Sequence, residues 1–159
     1  MYLTYKTRIF PSKDQQKVLW DLAEKCRLLY NFALRDRIQN WRRNKDKPKE
    51  EKHWLTYKMQ SSQLPSLKTH YPEYTWVYSK VLQNTLKKLD ADYKSFYALW
   101  KKGDTKARPP NFKGWKYFTT LSYNQSGFKV QGNYLSLSHK HPSKCPLHFH
   151  MSYTVIECE

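Results

Sequence analysis

The chain has 159 residues, with 29 Lys and Arg against 13 Asp and Glu, for a net charge of +16. That length is one domain or two small ones with a real core, and no apolar run approaches the roughly 20 residues that span a bilayer. Charge of this sign opposes compactness unless a polyanion sits nearby, so nucleic acid is the expected partner, not a membrane and not a small-molecule substrate.

Residues 2 to 10 alternate, with Leu3, Tyr5, Thr7 and Ile9 on one side and Thr4, Lys6, Arg8 and Phe10 on the other. This predicts a strand whose outer face carries the phosphate candidates Lys6 and Arg8. Pro11 ends it. Ser12 then caps a helix, and Gln15 completes a capping box. The helix is expected to run to about Arg43, with a core stripe of Leu19, Leu22, Ala23, Cys26, Leu29, Tyr30, Ala33, Leu34, Ile38 and Trp41. Arg27, Arg35, Arg42 and Arg43 make its later part basic, which points to phosphate contact. Asn31, one turn from Arg27, is suited to an internal amide bond.

Residues 44 to 52 read as a charged linker. Thr56 caps a short helix from Tyr57 to about Leu64, stopped by Pro65, and residues 66 to 74 show no periodicity. A long helix follows, from about Thr75 to Lys102, with Gly103 just past its end. Its apolar stripe is Leu82, Leu86, Leu89, Tyr93, Phe96, Tyr97 and Trp100, while Lys80, Gln83, Lys87 and Lys88 lie on another side.

After Gly103 the composition changes. Residues 104 to 116 form an extended basic loop in which Arg108, Lys113 and Lys116 interleave with Phe112, Trp115 and Tyr117; cations neutralise phosphates while aromatics stack on bases. Phe112 is expected to plug a core. From Tyr117 onward the period is two, through Phe118 to Tyr123, then Phe128 and Val130. Gln131-Gly132-Asn133 signals a hairpin turn before Tyr134, Leu135 and Leu137. Leu147, Phe149, Met151, Tyr153 and Val155 alternate with polar residues in the clearest strand of the chain.

The order strand, helices, strands predicts an α+β fold. A lone first strand cannot stand by itself, so residues 1–11 and 104–159 are expected to build one small antiparallel β-barrel. Residues 12–103 are then a helical bundle inserted after the first strand. The three cysteines (Cys26, Cys145, Cys158) are odd in number and widely spaced. They suggest no disulfide framework and a reducing, cytoplasmic setting. Residues 1 to 6 do not resemble a signal peptide.

Several segments taken in order resemble the start of TnpB (OrfB) proteins of bacterial and archaeal insertion sequences. They are Lys6-x-Arg8-Ile9-x-Pro11, Arg27-Leu28-Leu29-Tyr30-Asn31-x-x-Leu34, Leu55-Thr56-Tyr57 with Ser61 and Leu64, Leu82-Gln83-Asn84-x-Leu86-x-x-Leu89-x-x-x-Tyr93-x-x-Phe96-Tyr97, and Pro110-Asn111-Phe112-Lys113. The resemblance covers residues 4 to about 137. It implies an RNA-guided DNA endonuclease whose N-terminal half, a wedge-type barrel with an inserted recognition domain, holds guide RNA and reads a short duplex motif. By position it implies that Tyr57, Ser61 and Gln83 face that DNA, with Lys80 on a phosphate and Tyr123 and Asn124 at the barrel rim. Gln suits the task because it can bond adenine N6 and N7 together. Ser79 stands where the family often has Lys.

The family's nuclease half uses three carboxylates around two Mg²⁺ ions. Here no carboxylate lies between Asp104 and Glu157, and Asp90 and Asp92 are two apart on a helix, on different faces. The chain is therefore expected to be noncatalytic, a truncated form lacking the nuclease half, with no cofactor of its own and Mg²⁺ belonging only to that missing half. Guide-type RNA and duplex DNA are the expected partners, in a prokaryotic, nucleoid-associated setting. The alternative is a stand-alone helix-turn-helix regulator derived from a transposase. His148 and His150 share a strand face near Cys145, as metal ligands would, but the spacing matches no closed site and no metal is expected.

Overall fold

The computed structural model describes residues 6–152. Strand β1 is Arg8–Ile9, followed by the 32-residue helix α1, Lys13–Asn44. Two short helices come next, α2 (Tyr57–Ser62) and α3 (Leu64–His70), and then the 23-residue α4, Ser79–Lys101. Strands β2 (Phe128–Gln131), β3 (Tyr134–Leu137) and β4 (Leu147–Ser152) close the order. Leu3, Tyr5, Tyr153, Val155 and Cys158 lie outside the described residues.

Local chemistry sets the helix ends. The Ser12 hydroxyl accepts from the Gln15 backbone N–H, and the Gln15 side chain accepts from the Ser12 N–H, so two otherwise orphaned donors are satisfied. Gly103 follows the last turn of α4 with φ 83°. Its N–H reaches Trp100 O and the Asp104 N–H reaches Leu99 O, the paired bonds of a Schellman ending. Pro65 does not stop a helix. It lies in the first turn of α3, where its missing N–H has no helical partner to lose. Residues 72–76 form a 3₁₀ turn, which delays the start of α4 to Ser79.

α1 packs along α4 with α2 and α3 against them. Leu22, Leu34, Leu82, Leu86 and Leu89 are fully buried at this contact, and each contributes about 1.5–3 kcal/mol relative to exposure. Val18 is buried where Leu19 was expected to be, and Leu19 packs at the edge. Trp41, expected on the core stripe, stands 52% exposed.

The four strands form one antiparallel sheet in the order β1-β4-β3-β2. The N-terminal strand therefore joins the C-terminal strands: Arg8 sits opposite Ser152 and Ile9 opposite Met151. Leu147 and Phe149 of β4 belong to the same core as the helices, while His148 and His150 point away. The expected barrel is not closed. Among the described residues β1 and β2 are the two edges of an open sheet, with no pairing between them. Residues 117–124 carry the period-two pattern yet form no strand; Ser122 O accepts from the Asn84 side chain on α4.

Candidate nucleic-acid interface

Lys80, Gln83 and Lys87 are spaced three and four apart, so one face of α4 carries all three. Thr56 caps α2 by accepting from the Met59 N–H, which fixes Tyr57 at the first helical position. The Tyr57 ring packs at the edge of the core, and Lys87 Nζ lies 5.9 Å from its centroid. The structure thus brings Tyr57 and the Lys80–Lys87 stripe together. The Gln83 side chain has no hydrogen-bond partner among the described residues, whereas that of the next residue, Asn84, donates to Ser122 O at 2.8 Å. Lys88 pairs with Asp92 at 3.2 Å, and Ser61 is half-buried on α2.

The segment tied down by Asn84 leads to Tyr123 and Asn124. Tyr123 stacks on Tyr78 with ring planes 9° apart, and its hydroxyl donates to Ser138 O at 3.0 Å. Burial pushes the Tyr123 phenol up to about 12, so it is a neutral donor under all ordinary conditions. The Asn124 Oδ1 is buried and has no hydrogen-bond partner among the described residues.

The basic loop is anchored at Lys113. Asn31 on α1 donates from Nδ2 to Lys113 O at 2.9 Å and accepts the Lys113 N–H on Oδ1 at 2.8 Å. Arg27 adds a bond to the same carbonyl at 2.8 Å while its other nitrogens hold Glu24. The Glu24 carboxyl is lowered, chiefly by that Arg27 hydrogen bond. Arg27 thus braces the loop and is mostly covered, which leaves little of it for a phosphate. Lys113 Nζ lies 5.3 Å from the Tyr30 centroid. Phe112 is not a core plug: it is 56% exposed, and Phe118 is the ring buried against Tyr30. Between those two points a turn with Lys116 at φ 61° swings Trp115 and Tyr117 outward, with Lys116 Nζ 4.4 Å from the Trp115 ring.

The other basic candidates are spread out. Lys6 and Arg8 are exposed beside the sheet, with Arg8 over the Phe10 ring. Arg35 lies over Phe32, and Arg42 and Arg43 are exposed at the far end of α1. Residue 42 lies on the order of 30 Å along the helix from Trp20. Arg108 turns back to donate to the carbonyls of Thr105 and Ala107. A residue that sequence reasoning missed is Arg37, which donates to Gln60 and Asp90 and ties α1, α2 and α4 together. Its only signal was its fit to two distant polar groups, which chain order does not reveal.

The histidines have local partners. His139 donates from Nε2 to Cys145 O, and its Nδ1 accepts the His141 N–H. His141 donates to Asp21 on α1. His148 bonds Ser136 and stacks on Tyr134, which His150 meets edge-on. No group of three His, Cys, Asp or Glu among the described residues could hold a metal ion, and no helix among them is long and apolar enough to cross a membrane.

The basic, partly unpaired face of α4 beside the half-buried Tyr57 suits contact with nucleic acid. Residues 1–46 match the family model HTH_OrfB_IS605, a helix-turn-helix domain, so the N-terminal part of the chain is similar to that domain of OrfB proteins. Within the described part of that match the chain forms one short strand and one unbroken helix; the next α-helix starts only at Tyr57. No curated protein matches the chain.

Proposed function

We propose that this chain is the nucleic-acid-gripping N-terminal part of a TnpB-type RNA-guided DNA endonuclease, and that it cuts nothing by itself. The observation that carries the reading is the stripe on α4. A Gln83 amide with no internal partner stands between Lys80 and Lys87, beside Tyr57. An amide free to bond a base edge, flanked by cations free to bond phosphates, is what reading a short duplex motif requires. Guide-type RNA is assigned to the dispersed basic surface, with Lys116 and its exposed ring neighbours as one contact. The open sheet belongs, in this reading, to a wedge-type barrel, and the protein works in the prokaryotic cytoplasm at the nucleoid.

Catalysis is assigned elsewhere in the parent protein. Asp90 is held by Arg37 and Lys94, and Asp92 by Tyr30 and Lys88. Two carboxylates committed to separate cations and donors do not fit a shared two-metal site, and no step is derived through Mg²⁺.

The test is binding of fluorescent duplex and structured RNA by the purified chain between about 50 and 200 mM salt. Affinity is expected to fall steeply, in proportion to the phosphates neutralised. A flat salt dependence refutes the reading. Full-strength occupancy of a DNA site in chain freed of all RNA favours the stand-alone regulator instead.

A further inference from the structure

The core between α1 and α4 ends near Leu89, but the apolar stripe of α4 does not. It continues through Tyr93, Phe96, Tyr97 and Trp100. These rings, with Trp41 from α1 and Trp54 from the loop before α2, line an open groove of about 890 Å³. That falls within the roughly 300–1,000 Å³ range of pockets that enclose small ligands. Trp41, Trp54, Tyr97 and Trp100 are 47–64% exposed. A monomeric surface rarely leaves so many large rings side by side without a use.

We propose that this groove is a stacking site for the unpaired bases of single-stranded nucleic acid. The proposal rests on the reading above, that the chain binds nucleic acid, and adds a second and different surface to it. Two observations select this occupant. The lining is dominated by flat rings, whose faces accept any base. Its charge is wholly cationic: the groove includes Arg37 and Arg42 and no carboxylate. Arg37 is already bonded to Asp90 and Gln60, but Arg42 has no hydrogen-bond or ion-pair partner among the described residues. Lys45 Nζ lies 5.7 Å from the Trp41 ring, and Lys101 and Lys102 are exposed at the end of α4. A second copy of this chain would bring one cationic rim against another, at +16 per chain. A phosphodiester strand brings the opposite charge, with rings attached at a spacing aromatic side chains can intercalate or stack upon.

The test measures binding of a short fluorescent oligothymidine, the same strand without bases, and a duplex of equal length to the full chain. Trp41→Ala and Trp100→Ala are expected to weaken oligothymidine binding about tenfold each and to leave duplex binding unchanged. Trp41→Phe keeps a ring and is expected to retain most of the affinity. The base-free strand is expected to bind wild type and variants equally weakly. Circular dichroism melting confirms that each variant folds. Equal oligothymidine affinity in wild type and both alanine variants, with duplex binding intact, overturns this proposal alone. A chain that binds neither strand nor duplex overturns the reading beneath it as well. Self-association that Trp100→Ala abolishes assigns the groove to a second copy and overturns the proposal.

Discussion

Asn31 binds Lys113 as one strand residue binds another: its side-chain amide donates to the Lys113 carbonyl at 2.9 Å and accepts the Lys113 N–H at 2.8 Å. A single helix side chain thereby supplies both backbone bonds that residue 113 needs, across 82 positions of chain. The basic loop is fixed at one point and projects its cations and rings from there.

Removing that clamp leaves Lys113 with only Arg27 on its carbonyl and nothing on its N–H. Asn31→Ala is expected to cost about 1–3 kcal/mol, or roughly 2–10 °C in melting temperature for a chain of this size. Limited proteolysis should show faster cleavage within residues 104–117. A variant that melts and resists protease like the wild type would show that the loop is held by other contacts.

On α4 the two kinds of side chain should separate cleanly. Gln83→Ala is expected to relax motif preference by about 1–3 kcal/mol at the position it reads. Lys87→Ala should weaken all sequences alike and lower the salt slope by about one. Lys88→Ala should do the same but less, because Lys88 is shared with Asp92. Competition binding against a randomised duplex library distinguishes these outcomes. A uniform loss for Gln83→Ala contradicts its role in reading.

His139 gives the fold a pH dependence near neutrality. Its imidazole is held below the ordinary range, chiefly by burial, with His141 beside it acting the same way. Its Nδ1 accepts the His141 N–H, so a proton there costs a bond. The depressed value means the unfolded chain takes up the proton first. The contribution to stability is complete above about pH 6.5 and is lost as pH falls from there toward the folded value. The urea midpoint should therefore be lower at pH 5.5 than at 7.5. His139→Asn, which can accept that N–H without titrating, should shrink the difference. Identical midpoints for the wild type at both pH values rule this out.

Gly127 is required by contact with a ring. A Cβ built there would collide with the Tyr78 ring that stacks on Tyr123. Gly127→Ala is expected to destabilise by about 1–3 kcal/mol. Tyr78→Ala should absorb part of that cost, giving a favourable coupling in a double-mutant cycle by chemical denaturation. Additive losses would place the strain elsewhere.

The amino-acid sequence by itself determined what depends on neighbours within a turn or two. The Ser12–Gln15 capping box, the end of α4 at Gly103, the hairpin at Gly132 and the alternating burial of β4 all follow from local bonding and period. It also required β1 to seek the C-terminal strands, since an unpaired strand is unstable alone. Periodicity says which residues share a face, but only the tertiary structure decided what covers that face. Arg27 became a brace because Lys113 O lay within its reach, and Phe118, not Phe112, filled the space beside Tyr30. The apolar stripe of α4 is continuous in the sequence, yet it is fully buried only as far as Leu89. Beyond that point Tyr93 and Phe96 are only half-covered and Tyr97 and Trp100 stand open to solvent, because burial is set by non-local packing.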